Sequence, residues 1–401
     1  MFKLSPADQE ALGHFARKLI RTPSPSTHEK AVADLLSEEL ARVGFREVRM
    51  DRMGNVIAHA GNGQGPALLF NAHLDTVGVG DRSSWTRDPY GGDIEAGVLY
   101  GRGAVDMKGP LAALVYGMKL LLDSQTPLFG DVYVAGVVQE EPCEGLAMRV
   151  LVEEEGLVPD MVVLCEPSNL QVATGHRGRM EMQVTVKGVA AHASAPAQGE
   201  NAIYAAARLI FGAEILASQL GNDSFLGQGS LAVTHIESTA GSRNAIPDCC
   251  TFYIDRRLTL GETEARALAE VQGIINREQA RAQVEVTEYR ATSYTGYKCR
   301  ARSYFPAWLM MDDHKLVRAA VRAVETELGY RPKLMRWQFS TDGTYTMGVA
   351  GIPTVGFGPG EDRLAHVTNE HIHLEDMYQA ASVYAGLAAN ILSETNATPL
   401  G

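Results

Sequence analysis

The sequence predicts an α/β fold: one domain with a central, mostly parallel sheet covered by helices, plus an inserted ferredoxin-like βαββαβ domain. Three observations predict it. The chain has 401 residues, more than one ordinary core accommodates. Short apolar runs alternate with helical patterns early and late in the chain, as α/β winding requires. Between about residues 180 and 291 that rhythm gives way to longer alternating strands. The division that follows is 1–179 and 296–401 for the first domain and 180–295 for the insertion.

MFKLSPADQEALGHFARKLIR reads as an amphipathic helix with Ser5 as N-cap, Pro6 in the first turn, and Leu12, Phe15 and Leu19 on one face. Ala67–Phe70, Val132–Val138, Met161–Cys165 and Thr354–Phe357 read as strands buried on both faces, with Lys108–Leu122 a helix among them. In the insertion, EMQVTVKG, SLAVTHIES, CCTFYIDRRL and AQVEVTEYR alternate as strands. Asn201–Leu220 and Glu262–Arg277 are its helices, completing the βαββαβ order. Helices at Asp313–Leu328 and Leu374–Ser393 return the chain to the first domain.

Composition narrows the function classes. Hydrophobic residues make up 45% and charged residues 21%, the balance of a soluble globular protein. A formal net charge of -12 argues against nucleic acid or an anionic membrane as partner. No apolar run approaches the ~18–20 residues that span a bilayer, and the first residues hold no signal-peptide core, so the expected location is the cytoplasm. Cys143, Cys165, Cys249, Cys250 and Cys299 form no CxxC pair and read as reduced thiols.

Polar residues capable of chemistry follow the apolar strands, where open α/β sheets bind their ligands. His73 stands after the first such run; alone it is as readily a hydrogen-bonded structural histidine. Asp75, two residues on, favours the functional reading, because a carboxylate can hold the second imidazole nitrogen. Asp106 in GRGAVDMKGP precedes a helix and reads first as an N-cap. The glycines around it match no phosphate loop. Glu140 and Glu141 close a strongly apolar strand. Neighbouring strand side chains face opposite ways, so the two share a site only where the strand breaks, and Pro142 is the predicted break. Glu166-Pro167 repeats the device. His366 lies in the loop after the fourth strand, with His371 and His373 close behind.

These residues supply two histidines and four or five carboxylates without a cysteine pair. Such an N/O set suits zinc, manganese or cobalt better than a structural thiolate site. The surplus of carboxylates points to two metals, a shared aspartate and a spare glutamate as base. Spacing leaves open which glutamate ligates and which takes the proton. A cysteine nucleophile has no support, since no thiol sits beside a helix N-terminus and a partner histidine.

HLDTV (73–77), GRGAVDMKG (101–109), QEE (139–141), CEPSN (165–169) and GxxxxAHxxNE (360–370) resemble the M20 family of metallohydrolases. That family includes acetylornithine deacetylase, succinyl-diaminopimelate desuccinylase, aminoacylase and the glutamate-releasing carboxypeptidase. The match runs in order over nearly the whole chain and is also similar to a subgroup labelled selenium-metabolism-linked hydrolases. The resemblance implies two divalent metals, zinc first and cobalt or manganese next. His73 and Glu166 would hold one, Glu141 and His366 the other, and Asp106 both. Glu140 would be the general base and Asp75 would orient His73. Position 166 is Glu, as in the deacylases and carboxypeptidases, and Gln139 stands where the family often has Asp. A cis peptide is implied at Asp106–Met107.

The resemblance also makes the insertion a lid and homodimer interface. His192 in GVAAHASAP would reach the partner subunit's site and donate to the oxyanion of the tetrahedral intermediate. Asn244 and Arg257 would bind a substrate carboxylate, with Arg177, Ser340, Thr341 and Gly360 also facing substrate. The implied activity is hydrolysis of the amide bond of a small N-acyl amino acid. A carboxypeptidase or dipeptidase is the alternative, and a catalytically silent binding protein the third reading. Cys143 has no slot in this scheme and is expected as a buried thiol near the site.

Overall fold

The computed structural model describes residues 1–393, and its first element begins where capping chemistry starts it. Ser5 accepts from the Asp8 amide to cap helix α1, Pro6–Ile20, whose Leu12, Phe15 and Leu19 are buried. Helix α2 (Lys30–Arg42) and strands β1 (Glu47–Met50), β2 (Val56–Gly61) and β3 (Ala67–His73) follow. Next come α3 (Lys108–Asp123), β4 (Asp131–Val137), β5 (Met161–Leu164) and β6 (Val172–His176). The insertion holds β7 (Gly178–Lys187), α4 (Ala202–Ala217), β8 (Ser230–Thr239), β9 (Cys249–Leu258), α5 (Glu264–Arg277) and β10 (Ala282–Val286). The chain closes with β11 (Trp308–Leu309), α6 (Lys315–Leu328), β12 (Leu334–Trp337), β13 (Thr354–Gly356) and α7 (Leu374–Leu392).

The nine-stranded central sheet has the order β1-β2-β4-β3-β5-β13-β6-β11, with β12 also on β6. Neighbours from β4 to β13 run parallel, as do β12 and β6, while β1 and β2 form an antiparallel edge. The parallel strands are buried along nearly their whole length, which is why they read as continuous apolar runs. Helices α3 and α7 pack together over this core, with α1 against α3 and α6 against α7. The chain is therefore α/β, as expected.

The insertion has its own core. Strands β8-β9-β7-β10 are antiparallel, and α4 and α5 bury Leu209, Ala213, Val271 and Ile274 against Met182, Val184, Phe252 and Ile254. One expected strand, AQVEVTEYR, is two. β10 ends at Val286, and Glu288–Thr292 pairs instead with Lys298–Arg302 in a separate ribbon. The Thr287 amide still reaches the Glu181 carbonyl at 3.0 Å, but Ser303 wedges in there: the Glu181 amide donates to the Ser303 carbonyl at 3.0 Å, the Ser303 amide to the Thr287 carbonyl at 2.9 Å, and Tyr304–Phe305 takes the next place on β7. Among the described residues no helix is long and apolar enough to cross a membrane.

Candidate metal centre

β3 carries His73 to its carboxyl end. The imidazole Nε2 lies 2.8 Å from Asp106 Oδ1 and 3.8 Å from Glu166 Oε1. His366 Nε2 lies 3.2 Å from Asp106 Oδ2 and 2.9 Å from Glu141 Oε2. Two triads thus share Asp106, one carboxylate oxygen toward each, and within each triad the donor atoms lie within 4.8 Å of one another. Asp106 is not an N-cap. Met107 is the residue that precedes α3, and the Asp106–Met107 peptide is cis. Glu370 braces the loop: its Oε1 accepts the Val105 and Asp106 amides at 2.8 and 3.0 Å. Its Oε2 pairs with Arg102 Nη1 at 2.6 Å, both residues buried, and Arg102 Nη2 reaches the His366 carbonyl at 3.5 Å.

The turn after β4 answers how adjacent glutamates reach one crevice. The break comes before Pro142: the strand stops at Val137, and Gln139 takes a left-handed φ of 58°. Its amide is tied to Glu29 Oε1 at 3.1 Å, and the preceding Val138 amide to Asn55 Oδ1 at 3.0 Å. The next two amides, of Glu140 and Glu141, go to Asp75 Oδ1 and Oδ2 at 3.1 and 3.3 Å. Asp75 also accepts from the Ser26 hydroxyl at 2.7 Å. With its carboxylate so engaged, it holds His73 Nδ1 through its backbone carbonyl at 2.9 Å, the nearer carboxylate oxygen lying at 3.6 Å. Gln139 is buried, accepting from the Tyr289 hydroxyl at 2.8 Å.

The electrostatics follow from crowding carboxylates out of water. Burial pushes Glu140 well above the usual carboxylate range against the pull of His73, and Glu166, Asp342 and Glu144 push further. Glu166 is raised in the same way, by burial and by Asp106. Asp106 is the exception: despite burial, two imidazoles hold it below its ordinary value. His366 is raised to about 10 by its bonds to Asp106 and Glu141. Burial alone would lower His73, yet Asp106 and Glu166 hold it well above the ordinary imidazole value. The two imidazoles leave negative charge uncompensated, and their nitrogens with three carboxylates form a donor set that fits two divalent cations. Glu140 belongs to neither triad. Cys143 is buried, lies outside both triads, and has its thiol pushed up by burial.

Among the described residues the other expected site residues make no hydrogen bond or ion pair to the triads. His192 and Asn244 lie on a small ribbon of the insertion, His192 opposite Ala245 and the Ala193 amide donating to the Asn244 carbonyl at 2.8 Å. The Ser194 amide donates to His192 Nδ1 at 3.1 Å, which leaves the proton of the neutral ring on Nε2. Among the described residues neither makes a hydrogen bond or ion pair to the triads. Arg257 pairs with Asp255 at 2.8 Å, and Arg177 Nη1 donates to the Gln228 carbonyl at 2.8 Å. The Thr341 amide donates to His176 Nε2 at 3.1 Å, and among the described residues the buried Ser340 hydroxyl has no hydrogen-bond partner. At Gly360, φ 85°, a Cβ would meet Ile372 at 3.1 Å and Val105, next to Asp106, at 3.4 Å.

Sequence reasoning gave no role to Glu370, Arg102 or Asp342, or to the amide-holding Glu29 and Asn55. Asp342 Oδ2 accepts from Asn71 at 2.8 Å and Oδ1 from the Gly145 amide at 2.7 Å. Glu370 closes the AHxxNE stretch and Asp342 lies within FSTDGT, so both carried a signal. Glu29 and Asn55 carried none.

The profile of peptidase family M20/M25/M40 matches residues 69–390. A protein called "Uncharacterized protein YgeY" from Escherichia coli K12 is 40% identical over 386 residues, covering 96% of this chain and 95% of YgeY. Succinyl-diaminopimelate desuccinylase of Cereibacter sphaeroides is 30% identical over 390 residues, covering 94% of this chain and 97% of the desuccinylase. The crystal structure of Bacillus subtilis YXEP, described as a dinuclear metal binding peptidase from the M20 family, aligns with a TM-score of 0.70. At 18% identity, over 97% of this chain and 99% of that one, it speaks to the fold. On the matched length and these relatives, the chain belongs to peptidase family M20/M25/M40.

Proposed function

We propose that the chain is a two-cation amidohydrolase acting on a small N-acyl amino acid. One observation carries the reading: Asp106 offers one oxygen to each triad, while buried Glu140 stands beside them in neither. The desuccinylase relative supports a deacylase, and the dinuclear description of the B. subtilis protein supports two ions. His73 and Glu166 would hold one cation, Glu141 and His366 the other, and Asp106 both. Zinc suits these donors first, with cobalt and manganese next. Bound divalent ions supply carbonyl polarisation and an acidified water.

The chain's own groups do the rest. Glu140 takes the proton of the attacking water on its carboxylate and returns it to the leaving amine. His192, supplied across a homodimer, donates its Nε2–H to the oxygen that becomes negative. Arg257, Arg177 and Asn244 hold the substrate carboxylate, and Ser340 and Thr341 line that end, so binding energy far from the scissile bond sets its position.

For the dimer, support comes from an uncovered apolar stripe on α4. Tyr204, Phe211 and Ile215 are 68%, 64% and 61% exposed and lie near β8, an edge strand that also exposes Ile236. A second copy placed edge to edge would cover both stripe and strand. We accordingly take 180–295 as a lid and dimerisation unit on a catalytic domain of 1–179 and 296–401, in a cytoplasmic enzyme.

Metal analysis together with a panel of N-acyl amino acids and unblocked dipeptides tests the function. Glu140→Gln should lower kcat on the order of 10²–10⁴-fold with fold and metal content unchanged; unaltered turnover would sink the assignment. Preference for dipeptides would favour the peptidase alternative, which the B. subtilis description supports. Protein without stoichiometric metal or turnover would favour a silent binder.

A further inference from the structure

The turn that presents Glu140 and Glu141 hangs from distant side chains. The four amides from Val138 to Glu141 donate to Asn55, Glu29 and Asp75. At its centre Gln139 holds a φ of 58°. A residue with a Cβ rarely adopts that conformation, and it persists where the surroundings fix it.

The Gln139 side chain is gripped by the ribbon of Glu288–Thr292 and Lys298–Arg302. The register sets Tyr289 opposite Ala301 and Ala291 opposite Cys299, so these four share one face. Glu288, Arg290, Arg300 and Arg302 share the other. Cys299 is part of the first domain's core, with Tyr289 and Ala301 packed against it. Two residues of this face occupy both ends of the Gln139 carboxamide. The Tyr289 hydroxyl donates to Oε1 at 2.8 Å, and Nε2 donates to Cys299 Sγ at 3.7 Å.

A second contact comes from the ribbon's tip. The Tyr294 hydroxyl donates to the Gly54 carbonyl at 2.7 Å, and the next residue, Asn55, holds the Val138 amide at 3.0 Å. The ribbon therefore reaches the turn twice, through the side chain of Gln139 and through the neighbour of Asn55. A carboxamide suits position 139: it accepts from the phenol and adds no charge where the acids Glu29 and Asp75 already meet the turn. Any swing of Gln139 carries the next two residues with it. One is Glu140, outside the triads, and the other is Glu141, whose Oε2 lies 2.9 Å from His366 Nε2.

We propose that Tyr289 and Gln139 are positioning residues: the Tyr289 hydroxyl, through the Gln139 carboxamide, sets the places of the base Glu140 and the cation ligand Glu141. The inference rests on the roles proposed above for those two glutamates. It adds to them a contribution from the ribbon at the end of the insertion.

The test compares full-length wild type with Tyr289→Phe, Gln139→Leu, the double variant and Tyr297→Phe. The last removes another hydroxyl of the same ribbon, one bonded to Glu154 Oε1 at 2.7 Å and not to the turn. kcat and KM are measured on the N-acyl amino acid that wild type cleaves best. Cobalt titration followed by visible absorption reads the affinity for each of two ions. Tyr289→Phe should lower kcat by about tenfold with KM within about twofold, and should weaken the second cobalt by about tenfold, the lower end of what losing a ligand's outer support does. The double variant should do no worse than Gln139→Leu alone, because both act through one bond. Tyr297→Phe should match wild type. Melting curves check folding; should Tyr289→Phe be unfolded, Gln139→Asn, one methylene too short for the phenol, takes its place.

Unchanged kcat and cobalt binding in Tyr289→Phe overturn the proposal. So do a loss confined to KM, an additive double variant, or an equal loss in Tyr297→Phe. If wild type cleaves no amide, the deacylase reading fails and cobalt decides this one. Second-site binding weakened by Tyr289→Phe and untouched by Tyr297→Phe upholds it, and any other pattern overturns it. If amides are cleaved and Tyr289→Phe matches wild type, this one fails alone.

Discussion

His176 shows what a buried imidazole without an acid beside it does to stability. The Thr341 amide donates to Nε2, Nδ1 donates to the Arg177 carbonyl at 2.8 Å, and burial lowers the ring to about 4 from 6.5. On acidification the unfolded chain therefore binds the proton first. This contribution is complete above about pH 6.5 and falls away toward pH 4, by about 3 kcal/mol in all. Urea midpoints from pH 7.5 to 4 should show a steeper decline in wild type than in His176→Gln. Arg102 is the converse, a buried charge with its partner. Arg102→Ala strands the Glu370 carboxylate and should cost about 3–5 kcal/mol, read by denaturation of the metal-free protein. A cost under about 1 kcal/mol would mean that the pair does not brace the loop of Asp106.

Among elements, the turn after β4 and the contact between β13 and β12 carry the most constraint. Gly356 lies so close to Trp337 that a Cβ would stand 1.9 Å from the indole ring. Trp337 is anchored by its Nε1 to the Pro167 carbonyl at 2.8 Å, so it cannot swing aside. Gly356→Ala should cost about 1–3 kcal/mol or more, seen as a lowered melting temperature. β3, β4, β5, β13 and α1 were legible in the sequence, because burial on both faces and a capped 3.6-residue period leave clear patterns. β1, β2, β6, β11 and β12 were not, being short or partly polar. The break at Thr287 was hidden because alternation continues across it, and only the arrival of distant Ser303 beside Glu181 parts the strands. The ligand-type residues were legible from their place after apolar strands and from the family resemblance. The amide clamps by Glu29 and Asn55 were not, since a side chain that holds a remote backbone leaves no local pattern. Pro142 drew attention from Gln139, whose left-handed φ no propensity demands.

At the scale of the whole molecule, charge and surface make two further predictions. With His366 raised to about 10 and His73 also raised, the imidazoles carry protons at neutral pH in the metal-free protein. Ligation requires them to leave, so zinc binding at pH 7 should release protons and tighten as pH rises. Calorimetry in two buffers of different ionisation enthalpy measures the release; a buffer-independent heat would contradict it. On the surface, Phe211→Glu places a charge in the exposed stripe of α4. Light scattering should find the wild type dimeric and the variant shifted to monomer at the same concentration. A second copy that stays bound would place the interface elsewhere.

The ribbon formed by Glu288–Thr292 and Lys298–Arg302 bears on how such a protein can be recombined. It leaves the insertion through Thr287, bonded to Glu181, and its Tyr289 hydroxyl reaches Gln139 in the turn that presents Glu140 and Glu141. A transplant of the insertion spliced at residue 295 would cut this ribbon between its two strands, pairing a strand from one parent with a strand from the other. Splices at 178 and 305 carry both strands together, and donor and recipient must then match where the ribbon meets the first domain: Tyr289 at Gln139, Tyr294 at the Gly54 carbonyl, Thr295 at the Arg52 carbonyl and Tyr297 at Glu154.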